Sequence, residues 1–207
     1  MLAAAGMLAS AISPSQSAEP PAPAAGSQGA FGLEIGSTIE QLSKNGVRVT
    51  PAGPPLLYMI SSVPLPHAAF EGYILTISPT VGLCSVLGSG KGITTDSFGT
   101  TLRAEFDGLA EALKARYGNP TTKVDRVLPG SIWNQPRDFM MGMLQRERTL
   151  ISLWERDKKS ALPSTLQEIV LGARARQSDT ASIALQYRFT NYKKCEAEVA
   201  SAANKGL

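Results

Sequence analysis

One histidine, two cysteines and no apolar run of membrane-spanning length set the first bounds on this chain of 207 residues. The single imidazole, His67, sits in Pro64-Leu65-Pro66-His67, with no Cys, Asp or second His beside it to complete a metal shell. No C-x-x-C pair is present, which excludes a redox dithiol, and no G-x-S-x-G elbow marks a serine hydrolase. The glycine-rich run Gly88-Ser89-Gly90-Lys91-Gly92 misses the phosphate-loop pattern: Ser85 stands at its first glycine and Gly92 where its hydroxyl belongs. It misses G-x-G-x-x-G by one residue as well, and reads as a flexible turn after a strand. Asp and Glu are scattered, so no carboxylate pair emerges from spacing. No catalytic, cofactor-binding or metal-binding residue is assigned.

Basic residues are missing from the start of the chain, the first being Lys44. Residues 2–13 nonetheless form a short run of Ala, Leu, Met and Ile, followed by the small residues Ser15-Gln16-Ser17-Ala18. A dozen or so apolar residues before small ones fit the core and cleavage zone of a secretory signal peptide, and fall well short of the ~20 needed to span a bilayer. Residues 1–18 are therefore expected to be a signal peptide, 19–30 a Pro/Ala-rich linker and 31–207 one domain. The competing reading is an Ala/Pro-rich tail on a cytoplasmic protein. Export places the mature protein in the periplasm or outside the cell. The lipobox cysteine of a bacterial lipoprotein is absent after the apolar run.

In an oxidising compartment an even cysteine count points to a disulfide, and Cys84 with Cys195 allows one intramolecular pairing. In a reducing compartment both would be buried small hydrophobes. Charge is modest, with a net of +3, so the chain is neither disordered nor a seeker of nucleic acid. It is uneven, however. Residues 31–119 carry six Lys/Arg against seven Asp/Glu, and residues 120–207 carry fourteen against nine. The basic half suits an anionic partner or surface, or is simply a solvated basic face.

Ser37 and Glu40 form an S-x-x-E capping box, which predicts a short helix from Thr38 with Ile39 and Leu42 on one face and Gly46 as its stop. A proline-rich connection follows, interrupted by the apolar residues 56–60. Residues 70–78 alternate as a strand, with Tyr73, Leu75 and Ile77 on one face, and residues 83–87 return as the second arm of a hairpin carrying Cys84. The clearest helix spans 101–117, where Leu102, Phe106, Leu109, Leu113 and Tyr117 draw a single stripe ended by Gly118 and Pro120. Residues 121–128 predict a strand, 136–148 a helix with Phe139, Met140 and Met143 inward, and 150–155 another strand. Trp133 and Trp154 read as core or rim aromatics.

The strongest β signal is the last hairpin. Ile169, Leu171, Ala173 and Ala175 alternate with polar or small residues, as do Ile183, Leu185, Tyr187 and Phe189. Pairing about Asp179 sets Ala175 opposite Ile183, Ala173 opposite Leu185 and Leu171 opposite Tyr187. Its other face carries Arg174 and Arg188, with Arg176 and Gln186 nearby, a candidate binding face for an acidic partner. A short helix over 193–203 ends the chain, with Cys195, Val199 and Ala202 on one side.

The expected fold is α+β: an antiparallel sheet with helices packed on one face, arranged as two helix-plus-strands repeats over 31–89 and 100–190. Two short stretches resemble known families. Phe31-Gly32-Leu33-Glu34-Ile35-Gly36-Ser37-Thr38 before a short helix, and Leu113-x-x-x-Tyr117-Gly118-x-Pro120 at a helix end, resemble small exported bacterial modules of the outer-membrane assembly lipoprotein and β-lactamase inhibitor protein families. The resemblance implies a non-enzymatic binding module and transfers no functional residue; the missing lipobox argues against the lipoprotein role. The reading that follows is an exported binding or accessory protein without cofactor, its partner an unidentified envelope protein. A small envelope hydrolase and a purely structural envelope component are the alternatives.

Overall fold

Two four-stranded antiparallel meanders meet through their last strands and form one continuous sheet. The computed structural model describes residues 30–157 and 161–203. The expected signal peptide, residues 1–18, and residues 19–29 of the linker lie outside them. The first meander follows α1 (Ile39–Lys44) and comprises β1 (Thr50–Pro51), β2 (Leu57–Ile60), β3 (Phe70–Ser78) and β4 (Gly82–Gly90). After the short β5 (Ile93–Thr94) and α2 (Thr100–Tyr117) comes the second, with β6 (Thr122–Val127), α3 (Phe139–Leu144), β7 (Arg148–Glu155), β8 (Leu166–Ala175) and β9 (Thr180–Phe189). The helix α4 (Tyr192–Ala203) is the last element described. The strand order is β1-β2-β3-β4-β9-β8-β7-β6, with β5 paired to β9. Every pairing is antiparallel, so the α+β class holds, and each half is a helix followed by a four-stranded meander.

Alternation divides the sheet into two unlike faces. Leu75, Val86, Ile169, Leu171, Leu185 and Tyr187 point to one side and are buried. α2 lies on them through Leu102, Phe106, Ala110, Leu113 and Tyr117. Each fully buried Leu or Phe in this layer contributes about 1.5–3 kcal/mol. The buried stripe takes Ala110 where the sequence pattern expects Leu109, which is only half-buried. Four-residue steps overshoot a 3.6-residue turn by about 40°, so the stripe drifts and Leu109 falls at its margin.

Caps and bonds at the ends explain where α2 starts and stops. Gly99 holds φ at 69°, and a side chain there would meet the Phe139 ring at 2.4 Å, so Gly99 cannot supply the cap. Asp96 supplies it from three residues back, accepting from the N–H and the hydroxyl of Thr100, both at 2.8 Å. At the other end the buried Trp154 donates its indole N–H to the Gly118 carbonyl at 2.9 Å.

Several expectations shift by a residue or two. The capping box of α1 is Thr38 with Gln41, while Ser37 donates its hydroxyl to the Glu34 carbonyl. Ser-x-x-Glu and Thr-x-x-Gln overlap in this stretch, and the second wins. Gly88, Ser89 and Gly90 belong to β4 rather than to a turn. In the 136–148 segment, Pro136–Asp138 is a 3-10 turn and α3 stops at Leu144. Arg146 adopts φ 61°, and β7 has begun by Arg148. The apolar run 56–60 supplies β2. In the last hairpin the pairs are Leu171 with Leu185, Ala173 with Ile183 and Ala175 with Ala181. The register sits two residues from the expected one because the N–H groups of Arg176 and Gln177 both bond the Thr180 carbonyl, centring the turn on Ser178. A two-residue slip leaves every side chain on its predicted face.

α4 folds over the rim of the face opposite α2. Arg188, Ser85 and Thr76 are cross-strand neighbours there, with Ser78 next along β3. Tyr192 lies 4.9 Å from the Arg188 guanidinium, and Glu198 accepts hydroxyl bonds from Ser78, at 2.5 Å, and from Thr80. Asn191 donates to the carbonyls of Val81 and Leu83. Cys84, the extra residue at a β-bulge, and Cys195 are both fully buried at disulfide distance, their Cα atoms 6.4 Å apart.

Two predictions concern this docked helix. Non-reducing peptide mapping should recover Cys84 and Cys195 in one linked fragment. Reduction should then lower the melting temperature by several degrees, reflecting ~2–4 kcal/mol for a loop of this length. Free thiols at both positions in protein from its native compartment would contradict the pairing. The second prediction turns on Glu198, whose carboxyl the Ser78 and Thr80 hydroxyls hold below its usual 4.5. A depressed carboxylate stabilises the fold above its unfolded value, and that contribution is lost as pH falls through the folded one. Glu198→Gln should therefore melt further below wild type at about pH 6 than at about pH 3, the gap shrinking as pH falls. An equal gap at both pH values would mean that the charge plays no part.

Candidate functional site

The site is built on a strained turn at the start of the described chain. Residues 30–33 close through Leu33 N–H to the Ala30 carbonyl at 2.9 Å, with φ of 54° at Phe31 and 79° at Gly32. Two successive positive φ values define a type I′ turn. Holding a side chain there costs about 1–2 kcal/mol at Phe31. The ring recovers it. Phe31 stands edge-to-face against Phe70, Tyr73 and Tyr187 with centroids 5.4, 4.9 and 5.4 Å away, and such pairs contribute about 0.5–1.5 kcal/mol each. Gly88 makes room for it, since a Cβ there would lie 2.9 Å from the tip of the Phe31 ring.

The proline-rich segment before β3 is fixed to this turn. Leu65 N–H bonds the Phe31 carbonyl at 3.0 Å, and Gly32 has no side chain because a Cβ would meet Pro64 at 2.9 Å. His67 accepts the Ala69 N–H at its Nδ1, 3.2 Å away, so the neutral ring carries its proton on Nε2. No partner for His67 stands beside it in the sequence. The structure gives it this bond and the Phe70 ring at 5.7 Å.

Between the turn, this segment and α2 lies an open-mouthed pocket of ≈ 230 Å³. Phe31, Phe70, Leu109, Leu113, Leu185 and Tyr187 form its walls, and His67 and Arg116 are its polar lining side chains besides the Tyr187 phenol. Burial, and then the neighbouring Tyr117 phenol, push the Tyr187 hydroxyl far above its ordinary value; burial raises Tyr117 too, against the opposing pull of Arg116. Both phenols are neutral donors across the physiological range. The arrangement is suited to holding an apolar body by edge-to-face packing with a few polar groups to orient it. Neither composition nor periodicity marks these residues as a set, because they come from five separate segments. The one local signal is Phe31-Gly32, a bulky residue beside glycine where the turn needs two positive φ values.

The arginine face expected from the sequence is divided. Arg188 is taken up by an ion pair to Glu168 at 2.6 Å and by Tyr192. Arg176 bonds the Ser182 hydroxyl at 3.1 Å near the hairpin tip, where Arg174 pairs across to Ser182 and is exposed. Gln186 stays half-buried between Val170 and Leu87. Arg174 and Arg188 share a face but belong to opposite ends of the hairpin.

At the β6 edge, Asp125 holds Arg148 at 2.9 Å and Arg103 at 3.5 Å, and both guanidinium groups lie over the Phe139 ring at 4.5 and 5.0 Å. This network ties α2, α3, β6 and β7 together and borders a smaller cleft of ≈ 140 Å³. Among the described residues, no three His, Cys, Asp or Glu side chains converge as a metal site. No protein-family model, no curated protein and no solved structure matches the chain.

Proposed function

We propose that this protein is an exported, non-enzymatic binding protein of a bacterial envelope, and that its ligand occupies the aromatic pocket beneath α2. The observation that carries the reading is the strained Phe31 turn, which shapes one wall of the pocket and is held there by three aromatic partners. Strain of this kind gathers where a surface is shaped for a task. Export is supported by the cysteine pair at disulfide distance, an arrangement that persists in oxidising compartments. Among the described residues, no helix is long and apolar enough to cross a membrane.

A second reading, an accessory module docking an envelope protein, draws on the sheet face away from α2. Ile74, Leu87, Ile151, Leu153 and Val170 are half-buried there, and Met59 at its edge is 49% exposed. Arg174 and Arg176 at one end of this face would meet an acidic patch.

Two experiments test the proposal. A fusion of residues 1–30 to a reporter active only outside the cytoplasm should give signal; native protein that keeps Met1 and stays in the cytosol would remove the export claim. Ligand-observed NMR against small aromatic compounds should show binding that Ala112→Trp abolishes. Ala112 is exposed on α2 and lines the pocket, so the indole fills the space without entering the core. Binding unchanged in that variant would move the site elsewhere and favour the sheet face.

A further inference from the structure

We infer that the pocket selects a small carboxylate with a short aromatic or alkyl body, and that Arg116 anchors its charge. The inference rests on the pocket being the binding site. Three observations converge on the ligand class.

Size comes first. At ≈ 230 Å³ the pocket falls below the ~300–1,000 Å³ that encloses a drug-sized molecule, leaving room for one ring or a short chain. Shape comes second. The rings of Phe31, Phe70 and Tyr187 present edges and faces that pack an aromatic or flat aliphatic group, and Leu109, Leu113 and Leu185 complete a wall with little for a polar body to bond.

Charge comes third and decides the class. Arg116 is the one permanently charged residue lining the pocket, and no Asp or Glu lines it. Among the described residues Arg116 has no carboxylate within 4.0 Å. Lys114, two residues earlier on the same helix, pairs with Glu111 at 3.1 Å, while Arg103, Arg148 and Arg188 are paired as well. Its guanidinium carbon sits 5.2 Å from the Tyr117 ring, on an otherwise buried residue that roots it at the mouth. A cationic ligand would be repelled there, and a neutral one would leave the guanidinium unused. A guanidinium fork presents two parallel N–H donors that match a carboxylate. The Nε2 side of His67 and the Tyr187 hydroxyl are the remaining polar groups of the lining.

Arg116 also stands in the last turn of α2, where a cation complements the helix dipole, so the test must separate anchoring from helix stabilisation. Isothermal titration calorimetry with 3-phenylpropionate and its neutral counterpart 3-phenylpropan-1-ol, on the full chain at neutral pH, does so. The carboxylate should bind about tenfold more tightly than the alcohol to the wild type, as one charge-assisted bond pair provides. Arg116→Gln should bring the acid down to the affinity of the alcohol and leave the alcohol unchanged. Arg116→Lys should restore part of the gap, and Ala112→Trp should remove both. Equal affinity of acid and alcohol for the wild type would overturn the carboxylate inference while leaving the pocket in place. A wild-type gap that survives Arg116→Gln, with only the melting temperature lowered, would assign Arg116 to the helix dipole and overturn its anchoring role. Binding of neither compound, with the neutral aromatic screen also silent, would overturn the pocket reading itself and the ligand class with it.

Discussion

The antiparallel pairing of β4 with β9 is the constraint on which the rest of this structure depends. It joins the two meanders through strands about a hundred residues apart in sequence, running from Ser85 opposite Arg188 to Ser89 opposite Ala184. The strand that makes this central pairing contains three glycines, a composition that disfavours strands by roughly 0.5–1 kcal/mol per interior glycine relative to alanine. At two of them the geometry explains the choice. A Cβ on Gly90 would lie 2.1 Å from the Ile183 carbonyl oxygen, and one on Gly88 would displace Phe31. The glycines weaken β4 as an isolated strand and permit the close approach that makes it the seam. Such a long-range pairing closes late and slowly for entropic reasons. The Cys84–Cys195 approach spans the same seam, from β4 to the helix that follows β9.

The two halves share a connectivity but not a cover, and the pocket arises where they differ. α2 has 18 residues and runs about 27 Å, while α1 has six and runs about 9 Å. The short helix leaves part of the first meander uncovered, and the 30–33 turn and the segment before β3 fill that gap with Phe31, Leu65 and Pro66. Loops pack less continuously against a sheet than a helix does. Space remains along the line where these loops meet α2, and Leu109, which the drift of the stripe turns away from the core, faces it.

What the sequence discloses follows from which periodicities are local. The α2 stripe and the inward and outward faces of β8 and β9 are legible because a period of 3.6 or 2 survives within one element. Parity does not fix register, however. Pairing Ala175 with Ile183 or with Ala181 preserves both faces, and only the turn bonds at Arg176 and Gln177 decide between them. The β-character of Gly88-Ser89-Gly90 is hidden for a related reason, since the partners that require those glycines, Phe31 and Ile183, lie far away in the chain. The pocket is the extreme case. Phe31, His67, Arg116 and Tyr187 span more than 150 residues and share no motif, so only the topology assembles them.

The electrostatics of the molecule explain why the basic half offers no obvious anionic platform. Three of its arginines are spent internally: Arg148 lies over Phe139 and bonds Asp125, as Arg103 of the other half does, Arg188 is held between Glu168 and Tyr192, and Arg156 reaches the carbonyls of Leu162, Pro163 and Leu166. Such placement stabilises edges and loops where hydrophobic packing is thin, because a guanidinium plane stacks on a ring while its fork bonds a carboxylate. Net charge counted along the chain therefore overstates what the surface presents. The cation proposed to meet a ligand comes from the half whose sum is slightly negative: Arg116 lines an apolar pocket with no acid within 4.0 Å among the described residues. Local pairing, rather than the charge of a segment, determines which basic residue can meet a ligand.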